Sequence, residues 1–408
     1  MSAPATTMAA RSASRGIAIF GRHTRYMLGR YLIHVALVTS VLLAIALTID
    51  LWPQFETIAK SGGGGPLAAV WSVARFSVLR TPWLIAPFLP FAAFLGVFWT
   101  ELMHTTSGER MLIWNSGRSP LLCLAPVVLL GLILGAGEFL MDAYLGPASM
   151  AVQMHERLGL DGERLDRTQT GDASWIALPD GLLKAEIEYG PPPVLHNVLL
   201  FRRSTAGKLT KVETASIARR IPNTNKWVMA NGYSWHSGMV PTPSQDTQFF
   251  LESSNDALVP FATRTVSLDI DPLWLSYFGM EPQYIPLSVL RQLANANWET
   301  EWRSRYRTRL SVLYGETVLP GAMALLAACL SMVFLAYHTG FRALVGIAFA
   351  GYMAHFGTKA CLLLGQTGYM APALSGWLVS GVLLATTAFV LAIGQRRHRG
   401  RPARFTDE

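Results

Sequence analysis

Ionisable side chains are scarce in the apolar stretches of this sequence, so the few that occur there mark where chemistry would be. Lys359 stands deep in one such stretch with His355 one helical turn before it, and Glu138 and Asp142 lie near the end of another. An ionisable group at that depth is rare and as a rule faces a bundle interior. Three readings are open for Lys359: contact with a substrate, a pair with a buried acid such as Glu138 or Asp142, or snorkelling to an interface. Together with an acid, His355 and Lys359 would also suit an intramembrane acyl or glycosyl transfer, but no paired acid–base motif recurs at a fixed spacing. His34, near the start of the first apolar stretch, reads as a satisfied structural histidine. His196 and His236 are isolated, with no partner at metal-ligand spacing, and the scattered Ser and Asp residues make no nucleophile elbow. Cys123, Cys329 and Cys361 all fall inside apolar runs, which leaves the polar middle of the chain with neither a zinc site nor a disulfide. No Gly-x-x-x-x-Gly-Lys-Ser/Thr occurs, and Gly62–Gly65 lacks the lysine that cradles phosphates. The expectation is a chain with no catalytic or metal residues and no cofactor of its own.

The elements that would position these residues follow from composition. Charged residues make up 15% of the 408 and hydrophobic ones 51%, against about 25% charged in soluble domains, so a membrane protein is expected. A helix needs roughly 20 mostly apolar residues to cross the hydrocarbon. Six segments qualify: Tyr31–Leu51, Pro82–Trp99, Leu121–Met141, Thr317–Tyr337, Leu344–Leu364 and Ala371–Ile393. Pro87 and Pro90 are tolerable in the second because neighbouring helices re-satisfy the freed backbone groups. The net charge of +8 raises nucleic acid as a partner, but its distribution excludes that. Arg11, Arg15, Arg22, Arg25 and Arg30 precede the first span, and Arg396, Arg397, Arg399, Arg401 and Arg404 follow the last. Such flanks place both ends in the cytoplasm. The stretch before Arg22 has no apolar core with a cleavage site and reads as a cytoplasmic tail, not a signal peptide.

Between the third and fourth spans the pattern changes to short runs with two-residue alternation. Ser174–Leu178, Leu183–Tyr189, Val194–Phe201, Lys208–Ile217, Lys226–Trp235 and Thr247–Leu251 read as strands, separated by turns such as Pro179-Asp-Gly181 and Pro222-Asn-Thr-Asn225. An inserted antiparallel β sandwich or jelly roll is expected, with edges suited to strand addition. The organisation is therefore a tail over 1–25, three transmembrane helices over 26–145, a β jelly-roll-like domain over 146–286, a helical connector over 287–311, three further transmembrane helices over 312–395, and a tail over 396–408.

This 3+3 arrangement around a β-domain resembles the lipopolysaccharide-export permeases LptF and LptG over nearly the whole chain. The most telling stretch is the turn between the second and third spans, Ser107-Gly-Glu-Arg-Met-Leu-Ile-Trp-Asn-Ser-Gly-Arg-Ser119. It is similar to the family pattern Ser-Glu-Leu-Val-x-x-x-x-x-Gly-x-Ser, with Glu109, Gly117 and Ser119 in the matching places. Pro147 resembles the proline closing the third span. Asp271-Pro272, Ile285–Leu290 and Arg307-x-Arg309-Leu with Pro320 resemble the segments leading back into the fourth. Gln54–Gly65 resembles the LptG exit from the first span more than the LptF one. Two departures are a glutamate, Glu138, further from Pro147 than the family places it, and a longer Arg-rich N-terminal tail.

The resemblance implies a permease subunit that extracts lipopolysaccharide from the inner membrane and passes it to a periplasmic β-domain bridge. It implies as partners a sister permease (LptF-like), an ATPase dimer (LptB-like) and a bitopic periplasmic docking protein (LptC-like), with membrane lipids around the spans. ATP is then used by the partner, and residues 107–119 form a cytoplasmic coupling helix. Glu109, Arg110, Met111, Leu112, Trp114 and Gly117 would seat in the ATPase groove, the apolar three inserted and Glu109 paired with a basic residue there; an ordinary solvated turn is the alternative. Lys60, just past the first span, would contact a substrate phosphate or else snorkel. Arg303 and Arg307, with Arg305 and Arg309, form two basic stripes that would meet an anionic headgroup or pair with Glu299 and Glu301. His355 and Lys359 would contact substrate at a lateral gate. Leu37, Val41, Ile45 and Thr48 on the first span and Ile347, Gly351 and Ala354 on the fifth would line an acyl-chain wall, or else face lipid or pack against other helices. A secondary transporter is the remaining rival, weakened by the lack of an inverted repeat with broken helices.

Overall fold

The computed structural model of the chain describes residues 21–61, 65–115, 120–165, 170–190, 192–222, 224–237, 258–296, 301–335 and 340–399. Most of both expected tails (1–20 and 400–408), the expected strand Thr247–Leu251, Gly117, Ser119 and Glu299 lie outside these residues, as do the side chains of Trp114 and Glu301; residues 22–25 and 396–399 of the expected tails are helical. The chain divides into two units, residues 1–150 with 282–408, and residues 151–281.

The first unit is helical. α1 (Arg22–Leu51) continues through a short 3₁₀ turn into α2 (Phe55–Ser61). The apolar run Arg22–Lys60 covers 39 residues, roughly 58 Å of helix at the usual rise, well beyond the hydrocarbon thickness. α3 (Pro66–Ile85), a 3₁₀ turn over Ala86–Phe88 and α4 (Leu89–Thr106) make the second span. It starts sixteen residues earlier than apolar length alone suggests, and Pro82, Pro87 and Pro90 bracket its 3₁₀ interruption, where each removes a backbone donor. After α5 (Glu109–Asn115) and α6 (Pro120–Cys123), α7 (Ala125–Leu140) forms the third span and runs through a π-turn, Met141–Leu145, into α8 (Gly146–His155). The connector consists of α11 (Leu287–Asn295), with α9 (Gly159–Arg164) and α10 (Pro272–Ser276) belonging to the other unit. The fourth span is a bent pair, α12 (Glu301–Glu316) and α13 (Leu319–Phe334), meeting at 45° where Pro320 opens the second piece. α14 (Phe341–Gln366) and α15 (Pro372–Arg399) complete the bundle. By length and composition, five helices of the described residues can cross a membrane, and six if the bent pair is one span.

Close helix contact depends on small residues. A Cβ on Gly131 would lie 2.5 Å from the Gly321 Cα, so the third and fourth spans approach at a distance only glycine permits. The core around that contact is built from Val127, Leu130, Leu319, Met323, Ala327 and Phe94, all buried.

The second unit is strand-rich. β1 (Ser174–Leu178), β2 (Gly181–Glu188), β3 (Val194–Arg203), β4 (Leu209–Arg220), β5 (Lys226–His236) and β6 (Val259–Ser267) form one antiparallel sheet in chain order. An inserted antiparallel β-domain is thus present, built among the described residues as an up-and-down six-stranded sheet. The first five strands match the alternation in the sequence, and β6 is additional. One face buries Ile176, Leu183, Leu200, Trp227 and Met229. Of the segment between the third span and β1, residues 146–155 are helical rather than stranded because α8 continues α7 across the π-turn, and α9 follows after a short turn. β-structure thus begins near Ser174, not at 146.

Candidate functional site

The turn after the second span is built from two local devices. Gly108 takes φ +75°, the left-handed region where a side chain is disfavoured, which lets the chain reverse after Thr106. Glu109 then opens α5, where a carboxylate suits the exposed N–H groups of the first turn. Met111 and Leu112 are exposed at 52% and 72%. Two apolar side chains stand free of the bundle on a short helix, available for another surface.

Arg110, the neighbour of these residues, points the other way. It is 4% exposed, and its Nη2 donates to Glu101 Oε2 at 2.6 Å and to the Glu101 carbonyl at 2.9 Å. Its Nη1 donates to the Ser331 carbonyl at 3.0 Å. The Tyr31 hydroxyl donates to the second Glu101 oxygen. Arg110 therefore does not face an ATPase groove; burial of its guanidinium requires the acid partner it has found inside the bundle. Glu109 Oε2 lies 2.5 Å from His104 Nδ1, with its side chain still 38% exposed. The first span (Tyr31), the second (Glu101, His104), the turn that follows it (Glu109, Arg110) and the fourth (Ser331) meet in this one network. Tyr31, Glu101 and His104 were not evident from the sequence. Their only signal is that an acid ending an apolar run, Glu101, has an arginine nine residues on, across a glycine turn.

A second polar cluster lies between the third and fourth spans. Asp142, in the π-turn, pairs with Arg309 at 2.6 Å, and Arg309 stands 3.9 Å from Glu316. π-turns recur at functional sites because they re-aim a side chain; here the turn holds Asp142 against Arg309. Glu138 is 2% exposed. Lys359 is exposed, within electrostatic reach of Glu138 and Glu316 but, among the described residues, in an ion pair with neither. The buried acid Asp142 is thus matched by Arg309 and not by Lys359, and Arg309 leaves the basic stripe assigned to it. His355 packs between the rings of Phe88 and Phe91, at 6.3 and 5.4 Å. Those aromatic neighbours make no acid–base dyad with it.

The remaining candidates are spread along the bundle. Lys60 is exposed and pairs with Glu56 at 2.6 Å, one turn earlier. Arg307 is exposed with Nε donating to the Ala294 carbonyl at 3.0 Å, Arg303 is half-buried, and Arg305 lies over the Trp302 ring at 4.7 Å. His34 is satisfied by Thr100 Oγ1 at 2.9 Å and stacks on Trp99. Leu37, Val41, Ile45 and Thr48 are exposed along α1. On the fifth span the expected wall residues face inward instead. Ile347 and Ala354 pack into the bundle core, and Gly351 lies against the Phe94 ring. The outward set there is Phe349, Tyr352, Met353, Phe356 and Leu363. Among the described residues no group of three His, Cys, Asp or Glu side chains could hold a metal ion.

No curated protein matches the chain. The model of the family described as lipopolysaccharide export system permease LptF/LptG matches residues 25–393, which takes in the turn after the second span, both polar clusters and the whole strand-rich unit. The chain is a multi-pass membrane protein and belongs to the lipopolysaccharide export permease family LptF/LptG.

Proposed function

We propose that this chain is one of two permease subunits, the more LptG-like, of an ATP-driven exporter in the bacterial inner membrane. It draws lipopolysaccharide out of that membrane and hands it to a periplasmic bridge of β-domains, to which the strand-rich unit contributes an edge. Both termini and α5 lie in the cytoplasm, consistent with the arginine clusters at the two ends. ATP is hydrolysed by a separate ATPase dimer, and a bitopic docking protein joins the strand-rich unit.

The observation that carries this reading is the character of α5. It presents Met111 and Leu112 outward while Arg110 anchors it to Glu101 and Ser331 inside the bundle. A helix that is apolar outside and charge-locked inside can receive a push from a soluble partner and deliver it to several spans. A solvated turn needs neither feature. The membrane face fits the cargo. Exposed apolar residues run along α1 and α14, with Lys60, Arg303, Arg307 and Lys359 as candidate cations for phosphates of the lipid.

Co-purification from native membranes tests the reading. The expected result is a stable complex with an ATPase pair and a sister permease that retains lipopolysaccharide; a chain that purifies alone, with neither, overturns it. An intramembrane transferase would instead turn over acyl or glycosyl donors in the isolated chain, at a centre that includes His355.

A further inference from the structure

Two buried nitrogens in the coupling network are left without partners. Arg110 and His104 are 4% and 1% exposed, yet among the described residues Arg110 Nε and His104 Nε2 have no hydrogen-bond partner. Both residues line a cavity of about 20 Å³, together with Tyr31, Glu101, Cys123 and Met332. A void of that size takes a single water, and water enters only where polar groups are there to bind it. The chemistry of the two nitrogens is complementary. Guanidinium Nε–H can only donate, whereas a histidine whose Nδ1–H is committed to a carboxylate presents Nε2 as an acceptor. His104 Nδ1 is committed in this way, to Glu109. One water within reach of both, accepting from Arg110 and donating to a neutral His104, would satisfy both.

We infer that this cavity is an internal water site, and that Tyr31, Glu101, Arg110, His104 and the water act as one positioning network that makes α5 rigid with the first, second and fourth spans. Each residue acts through its neighbours and none touches cargo. The mechanical part of the inference rests on the proposed coupling to an ATPase; the water does not.

The two parts are tested separately. A high-resolution experimental map of the unaltered full-length protein is expected to show solvent density between Arg110 Nε and His104 Nε2, and an empty cavity overturns the water site. For the mechanical part, Tyr31→Phe and Glu101→Gln are introduced into the assembled complex. The expected result is a lower unfolding temperature for Glu101→Gln, whose buried guanidinium loses its acid, but, below that temperature and for both variants, ATP hydrolysis near the unaltered rate and lipopolysaccharide extracted per ATP lowered about fivefold, the size of a modest coupling free energy. A merely structural role lowers hydrolysis and extraction together with stability, and that outcome, or no change in either, overturns the positioning role. If the unaltered chain binds no ATPase, it is the proposed function that fails, while the density experiment still decides the water.

Discussion

At Glu109 one carboxylate oxygen is held 2.5 Å from His104 while the side chain remains 38% exposed, so the group can serve a partner's cation without leaving the fold. Reversing its charge sets a lysine beside His104 and repels that cation. Glu109→Lys is expected to express and insert normally while lipopolysaccharide extraction no longer follows ATP hydrolysis; unchanged coupling rules out the role given to this carboxylate. Leu112→Asp probes the apolar half of the same helix. At 72% exposure the substitution disturbs no packing, so the purified chain keeps its melting temperature and loses ATPase association. Asp142 is the opposite case. Asp142→Ala leaves Arg309 buried with only a distant acid at 3.9 Å, and the expected cost is on the order of 3 kcal/mol, read as a lower melting temperature in detergent. These residues also show what was legible in the sequence. That buried acids need a cation could be read from their depth, but which cation could not. Lys359 lies in a helix whose sides are nearly all apolar, and Arg309 in one that carries arginines on several sides, so periodicity does not say which way either points. The same blindness misplaced Arg110, and it left the fifth-span set Ile347, Gly351 and Ala354 open between an acyl-chain wall, lipid and the helix packing that the structure shows.

Among the elements, length and composition located the helices that can cross, five among the described residues and six if the bent pair is one span, since hydropathy over about 20 residues is a strong signal. Their ends were less legible. The second span gains α3 because Trp71, Val78 and Trp83 continue an apolar helix that Arg75 and Arg80 interrupt, and Arg80 is accommodated by Asp50 at 3.0 Å and by the Trp83 ring at 4.3 Å. β6 escaped the alternation test because only Val266 of its residues is buried; a strand exposed along most of its length carries no two-residue rhythm. Helix contact makes its own prediction. Gly131 meets Gly321 backbone to backbone, so Gly131→Val must push the third and fourth spans apart. Overpacking of this kind costs about 1–3 kcal/mol. Because Asp142 and Arg309 join the same two spans, the variant is expected to lower the melting temperature and to be non-additive with Asp142→Ala. Additive losses would mean that the two contacts do not share one interface.

For the whole molecule, the open question of greatest consequence is which side of the membrane each unit occupies, because the proposed function needs α5 on the side of ATP and the strands on the other. The proposed cytoplasmic ends rest on the charge rule, against one dissenting group, Arg303, Arg305, Arg307 and Arg309. The packing weakens that dissent. Arg309 is neutralised by Asp142 at 2.6 Å, and Arg305 lies over Trp302, so fewer of the four stand as free positive charge at the membrane surface than the sequence suggests. The native cysteines Cys123, Cys329 and Cys361 are all buried, which gives a low background for labelling with a membrane-impermeant thiol reagent. Leu112→Cys and Tyr233→Cys place single thiols at exposed positions, one on α5 and one on β5. In cells whose outer membrane has been made permeable, the thiol at 233 is expected to react at once and the thiol at 112 only after the inner membrane is opened. The reverse order would put the strand-rich unit in the cytoplasm. It would then have no access to a periplasmic bridge, and the ATPase would have no access to α5.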